Sequence, residues 1–334
     1  AILGRPVAED ALILGISGRY EFKNKGIDVF IDAMGQLNRN NGLGKEVLAF
    51  ILVPAGHAGA NKELLHNLEL PYQAVTSTDL YLTHYLNDSA NDPVMNRIRA
   101  QKLRNSEEDK VKIFFVPSYL NGDDGVLNMP YYDLLVGMDL TAFPSYYEPW
   151  GYTPLESLAF KVPTITTTLA GFGLWVKEHY NMNHPGIEVI HREDGDASNV
   201  ATAIAEWVKN YTQVGETEMQ KDRDNAKDVS RIALWDNLIN YYKQAYTIAL
   251  NQVSVRLKDL PANMNESVSY IEKQLTVNNP SWVSVMIHRS IPEKLIALEE
   301  LSKNLWWAWN EGARELFRMI DVDKWRACGH NPIM

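Results

Sequence analysis

The chain has 334 residues, 46% hydrophobic and 22% charged, with a formal net charge of -10 and one cysteine, Cys328. That length allows two domains, and the composition is that of an ordinary globular protein. The charge argues against nucleic acid or an anionic membrane as principal partner, and a single cysteine excludes a disulfide framework or a cysteine-rich zinc site.

At the N-terminus, Ala1-Ile-Leu-Gly-Arg-Pro shows no signal-peptide pattern, and no apolar run reaches the roughly 18 residues of a membrane span. A cytoplasmic protein with no membrane partner is expected. Ala11-Leu-Ile-Leu-Gly-Ile16 is an apolar run of the kind a buried parallel strand needs. It leads into the polar loop Ser17-Gly-Arg-Tyr-Glu-Phe-Lys-Asn-Lys-Gly26, after which Ile27, Phe30, Ile31 and Met34 share one helical face. This unit places Arg19, Lys23 and Lys25 at a strand's carboxyl end, where open α/β sheets bind ligands. Each cation alone reads as a solvated charge; the three together favour a phosphate. Residues 47–53 make a second strand, and from Gly56 to about Asp109 the pattern is mainly helical and polar. His57 lies in a loop there, either reaching a sugar hydroxyl or doing nothing specific. Residues 110–117 form a clear strand, followed by a loop to Gly125 and a short helix over 129–136. Asp123 and Asp124, between glycines, read as turn formers rather than metal ligands.

The apolar run Leu140-Thr-Ala-Phe-Pro144 leads into Ser145-Tyr-Tyr-Glu-Pro-Trp-Gly-Tyr-Thr-Pro-Leu-Glu156, the stretch around which the chain is organised. Thr153, Pro154 and Glu156 carry a helix-start signal, with Glu156 at the capping-box distance from Thr153. Glu148 and Glu156 would then flank a helix N-terminus, where free amides and the helix dipole favour an anion. Cap and ligand both remain open for Glu156. Residues 163–168 form another strand, Gly171-Phe-Gly173 opens a helix, residues 186–191 form a strand, and helical patterns cover 197–211 and 232–250. Strands and helices alternate to about residue 250, the mark of a doubly wound parallel α/β domain. Residues 251–290, with Pro261 and Pro280, read as a linker holding a possible strand at 282–287. Residues 291–334 read as a small helical extension whose Trp306, Trp307 and Trp309 either pack in a core or serve as sugar platforms.

Three loops thus gather at strand carboxyl ends: 17–26 with its cations, 117–125 followed by a helix, and 145–153 with helix amides. Tyr119 and Tyr131 are placed to stack on a planar base, and Glu148 and Glu156 to hold sugar or ribose hydroxyls. The set suits a nucleotide-sugar. No G-x-G-x-x-G follows the first strand, and no P-loop or serine or cysteine nucleophile motif occurs.

Gly18-Arg-Tyr-Glu-Phe-Lys-Asn-Lys-Gly26, Ser145-Tyr-Tyr-Glu-Pro-Trp-Gly-Tyr-Thr-Pro154 and Thr166-Thr-Thr-Leu-Ala-Gly-Phe-Gly173 resemble the C-terminal half of eukaryotic-type glycogen synthases, over about residues 8–250. The resemblance implies a retaining glycosyltransferase of the GT-B fold, this chain supplying one of its two Rossmann-like domains. Such enzymes extend an α-1,4-glucan from UDP- or ADP-glucose without a catalytic metal or cofactor. It implies Arg19 and Lys25 on the donor diphosphate, Glu148 near the reacting carbon, Glu156 on the ribose, and Tyr119 and Tyr131 around the base. Trp150, Gly151, Tyr152 and Thr153 belong to the implied donor-binding stretch, the last three through their amides. The family's glucan-binding N-terminal domain has no counterpart here, so the chain is expected to bind nucleotide but transfer glucose poorly. Lys221, Arg223, Lys227 and Arg231 stand where eukaryotic members carry an arginine-rich helix that binds an activating sugar phosphate, here thinned.

The tail has its own resemblance. Ile291-Pro-Glu-Lys-Leu, Asn304-Leu-Trp-Trp-Ala-Trp-Asn310, Ala313-Arg-Glu-Leu-Phe317 and Gly329-His-Asn-Pro332 are similar to the opening of bacterial α-glucan phosphorylases. That implies a phosphorylase-like continuation of the chain. The second functional reading is accordingly a non-catalytic nucleotide- or glucan-binding module attached to a phosphorylase.

Overall fold

The computed structural model describes residues 2–3, 6–40, 42–69, 81–180 and 186–257; those up to 234 form one compact unit, and 235–257 belong to a second. The first unit opens with β1 (Leu12–Ser17), α1 (Ile27–Asn38) and β2 (Val47–Leu52), then β3 (His57–Ala60), α2 (Lys62–Glu69), β4 (His84–Leu86) and α3 (Pro93–Ala100). It continues with β5 (Val111–Val116), α4 (Tyr131–Val136), β6 (Leu140–Ala142), α5 (Tyr152–Ala159), β7 (Thr164–Thr167) and α6 (Gly171–His179). It ends with β8 (Ile187–Ile190), α7 (Ala197–Tyr211) and α8 (Glu216–Arg231).

Six strands form one parallel sheet in the order β5-β2-β1-β6-β7-β8. The apolar runs expected to be strands are strands because both faces of such a sheet are covered, so nearly every residue in them must be apolar. Leu12, Leu14, Ile16, Val47, Ala49, Ile51, Val111, Ile113 and Phe115 join one core with residues of α1, α3 and α7. On the opposite face Leu52 and Val116 pack with Leu135 of α4, Met138 and Val162. A third cluster ties β8 to α5, α6 and α8 through Ile187, Val189, Leu158, Phe172, Val176 and Val229. The expected doubly wound α/β architecture is what forms. The chain winds outward through β2 and β5, then restarts at β6 on the other side of β1. Connections therefore diverge at the β1/β6 boundary, and their loops leave a crevice at the strand carboxyl ends.

Local expectations are corrected in three places. The helix after the organising loop begins at Tyr152, and its N-cap is Gly151, with φ of 105°; no side chain caps it. A left-handed glycine makes the turn that a Thr153 cap was expected to make, so no capping box forms. Within 56–109, β3 and β4 pair antiparallel as a short ribbon where a mainly helical, polar stretch with no strand was expected. In the second unit, α9 (Trp235–Leu257) starts later than 232 and runs seven residues into the expected linker, because nothing before Pro261 interrupts it. Along α9 the Tyr242 ring lies 5.4 Å from that of Trp235 and 6.3 Å from that of Tyr246. The rest of the expected linker, the candidate strand at 282–287, the helical extension and its tryptophans lie outside the described residues.

Candidate functional site

The loops after β1 and β6 are fastened to each other by backbone. Gly26, with φ of 68°, sits so close to Pro144 that a Cβ there would lie 1.7 Å from the proline carbonyl oxygen. The Tyr146 N–H donates to the Asn24 carbonyl at 2.7 Å. The β7 and β8 ends support the same segment. Thr167 Oγ1 donates to the Ser145 carbonyl at 3.0 Å, and the buried Arg192 guanidinium donates to the Pro144 carbonyl. Arg192 also lies 5.4 Å from the Tyr146 ring centre, and the Tyr146 hydroxyl donates to Asp194. Burial pulls the Arg192 pKa down, while Asp28, Asp196 and Tyr146 offset that pull. On the other side, the Tyr20 hydroxyl donates to Asp92, which also caps α3 by accepting from Met95 N–H at 2.9 Å.

Across this joint Lys25 and Glu148 form an ion pair, their side chains only 13% and 20% exposed. The lysine stem runs past Gly18, whose φ of 146° favours glycine. Glu148 is itself pinned by backbone: its N–H donates to Leu169 O at 3.2 Å and its carbonyl accepts from Gly171 N–H at 3.0 Å. Phe172 N–H donates to Trp150 O at 2.7 Å, so the first amides of α6 are used within the protein. Those of α5 are not: Gly151, Tyr152 and Thr153 N–H find no acceptor among the described residues. Donors left free at a helix start, beside a lysine, attract an anion.

Next to the pair is a cavity of about 270 Å³ lined by Ser17, Gly18, Pro54, Tyr119, Tyr131 and Thr153, among others. It brings together residues from all three expected loops and both expected base-stacking tyrosines. Tyr119 is 77% exposed, a ring without cover. Tyr131 is held by a 2.7 Å hydrogen bond between its hydroxyl and Ser17 Oγ, and burial pushes its pKa up to about 12. Glu156 accepts from the Tyr132 hydroxyl at 3.2 Å, and burial raises its pKa.

Other expected residues are placed differently. Arg19 is 76% exposed and pairs with Glu21 at 3.0 Å, and Lys23 bonds Asp28 at 2.8 Å, so Lys25 is the loop cation joined to Glu148. The Trp150 ring packs 5.7 Å from Phe172 and 6.1 Å from Trp175, a packing role between α5 and α6. His57 lies on β3, edge-on to His84 at 4.8 Å, with its pKa lowered by burial and by that neighbour. The buried His84 holds the Asp124 carbonyl at 2.7 Å. Asp124 behaves as the turn former expected, its carboxylate accepting from the amides of Val126, Leu127 and Asn128. Among the described residues no cluster of three or more metal-ligating side chains occurs, and no helix is long and apolar enough to cross a membrane. In α8, Arg223 is committed to Asp139 at 2.7 Å and the Met138 carbonyl at 3.2 Å, while Lys221 and Arg231 pair with Glu218 and Asp228. Sequence reading missed two residues of the site's frame, Arg192 and Tyr132. Only Tyr132 carried a signal, an aromatic residue adjoining Tyr131.

Strand order, crevice and helix terminus together define a Rossmann-like α/β domain of the kind that makes one half of a GT-B fold. The glycogen synthase family model matches residues 7–79 and 74–294, and the chain belongs to that family. It is 28% identical over 307 residues to glycogen [starch] synthase isoform 2 of Saccharomyces cerevisiae, covering 73% of this chain and 44% of that protein. It is 29% identical over 299 residues to glycogen [starch] synthase of Neurospora crassa, and 27% over 295 to the liver enzyme of Rattus norvegicus, each at 73% and 42% coverage. The chain thus spans less than half the length of these relatives. Residues 291–334 match a separate model, a protein family of unknown function, DUF3417.

Proposed function

We propose that this chain is the donor-binding half of a glycogen synthase, taking glucose from a nucleoside-diphosphate glucose and passing it, with retention, to a glucan end. The observation that carries the reading is the junction at the β1/β6 crevice. The Lys25–Glu148 pair, three free amides at the start of α5 and a cavity walled by Tyr119 and Tyr131 meet there. Those parts answer the parts of such a donor in order: base on the tyrosines, diphosphate on the amides and Lys25, glucose beside Glu148. In the reaction the bond from glucose C1 to the diphosphate oxygen breaks and one from C1 to the acceptor hydroxyl oxygen forms. The departing diphosphate keeps the bond electrons and takes up the acceptor proton. Lys25 and the α5 amides stand where that negative charge grows, and fixed donors of this kind favour the transition state over the ground state. Arg19 joins them by leaving Glu21, a surface pair of small worth.

An acceptor glucan must be held against C1, and the described residues present the donor side of such a cleft. This chain alone is therefore expected to bind nucleotide while transferring glucose at a small fraction of a full-length rate. Its phosphorylase-like continuation is proposed on the tail's sequence resemblance. Calorimetric titration with UDP and ADP tests the reading: one of the two should bind, and Lys25→Ala should weaken it at least about tenfold. Binding of neither would overturn the donor assignment.

A further inference from the structure

Tyr132 follows Tyr131 in α4, and the donor reading gives it no task. Its ring is nevertheless held from two sides. Phe160, at the end of α5, stacks on it at 5.0 Å and 22°, and Tyr131 lies 5.3 Å away, tilted by 56°. So fixed, its hydroxyl donates to Glu156 Oε1 at 3.2 Å. No other described residue donates to the Glu156 carboxylate, which leaves Oε2 open. Tyr131, the ring beside Tyr132, lines the cavity, and so does Thr153, which precedes Glu156 by three residues in α5. Burial disfavours the ionised carboxyl, and the Tyr132 hydrogen bond works against that.

We propose that Tyr132 is a positioning residue that aims Glu156 at the ribose of the bound nucleotide and so sets a preference for ribonucleotides over deoxyribonucleotides. The proposal rests on the donor-site reading above. A glutamate free to turn spreads its carboxylate over several rotamers and must lose that freedom on binding. With Oε1 fixed by a ring that Phe160 and Tyr131 hold in place, Oε2 is presented in one direction before any ligand arrives. A site built to accept from a hydroxyl discriminates sharply against an analogue that lacks it, because its buried acceptor is left without a donor.

The test is calorimetric titration of this chain, Tyr132→Phe and Glu156→Gln with UDP, 2′-deoxy-UDP and 3′-deoxy-UDP, or the adenosine series if ADP is the ligand that binds. The parent chain should bind the ribonucleotide at least about tenfold tighter than the analogue missing the bonded hydroxyl. Tyr132→Phe should cut that ratio to about threefold or less, mainly by weakening the ribonucleotide, and Glu156→Gln should reduce it as far. An unchanged ratio in Tyr132→Phe, or an equal loss for all three ligands, overturns the proposal; the second result is what a merely structural role gives. Carbon-13 NMR titration of the Glu156 carboxyl gives a reading that needs no nucleotide. Its pKa should rise in Tyr132→Phe, and no rise overturns the proposal even if nucleotide binds. A parent chain that binds neither UDP nor ADP while this pKa rises overturns the donor reading, and the ribose role with it, leaving only the contact.

Discussion

Gly26 shows what one atom does at this site. Its φ of 68° is one that side-chain-bearing residues adopt at a cost of about 1–2 kcal/mol, and a Cβ would also meet the Pro144 oxygen at 1.7 Å. The second effect dominates, since the blocking atom is backbone and can yield only by parting the two loops. Gly59, with φ of 106° and nothing within 4 Å of its Cβ position, isolates the first effect. Gly26→Ala should therefore cost roughly 3 kcal/mol or more against about 1–2 kcal/mol for Gly59→Ala, read from urea midpoints. Equal costs would mean that the loops are not fastened here. Glu188, on β8, makes a pH-dependent counterpart. Burial raises its pKa, with lesser opposing contributions from the Trp207 hydrogen bond and the Lys177 charge. A carboxyl whose folded pKa is raised supports the fold fully below its unfolded value near 4.5 and loses that support as pH rises through the folded value. Glu188→Gln should then raise the urea midpoint at pH 7, with the gain vanishing below about pH 4. A gain that persists in acid would assign the effect to packing instead.

At the scale of elements, the loop between β8 and α7 braces the organising loop from beneath, through Arg192 on the Pro144 carbonyl and Asp194 on Tyr146. Arg192→Met keeps the length but removes a charge-assisted bond to a buried carbonyl, a loss of about 2–3 kcal/mol. The urea midpoint should fall accordingly, and affinity for whichever of UDP and ADP binds should weaken with it. Arg192→Lys, which keeps the charge but not the planar fork, should fall between the two. A methionine variant with parent stability would show that the brace carries no load. Nothing near Arg192 announces this, because the partners are 48 residues away and the bond is to backbone, which has no residue type. By contrast β1, β2, β5 and α7 were legible because burial on both faces, or on one helical stripe, forces an apolar period upon them. β3 and β4 were not: they are four and three residues long, carry glycine and histidine, and pair across an intervening helix. The start of α5 misled for a different reason. Thr153 and Glu156 satisfy the spacing of a capping box, but Gly151 turns the chain first and leaves Glu156 for Tyr132. The site was legible as a set of loops, since Lys25, Glu148, Tyr119, Tyr131 and Thr153 all sit at strand ends or helix starts. The partners of those residues depend on side-chain directions that spacing does not carry.

For the whole molecule, the proposed donor site has to attract a diphosphate to a chain of net charge -10. Ten charges spread at about 20 Å repel a unit anion by roughly 2 kcal/mol in water without salt. At 0.15 M ionic strength, with a Debye length of about 8 Å, that falls to a few tenths of a kcal/mol. A lysine about 4 Å from a phosphate at a partly buried surface contributes attraction of about 4 kcal/mol, part of it offset by giving up Glu148. The near charge wins over the far ones, and it is the one still felt at physiological salt. Raising NaCl from 50 to 500 mM should then weaken binding of whichever of UDP and ADP binds several-fold, as the residual attraction is screened. Were the overall negative charge in control, salt would tighten binding instead. The same arithmetic bears on metals. If Lys25 and three helix amides meet the diphosphate charge from within the chain, as the donor-site proposal has it, EDTA should leave the Kd within twofold, whereas a chain that relied on a divalent ion to bridge its acidic surface to the ligand would lose binding outright.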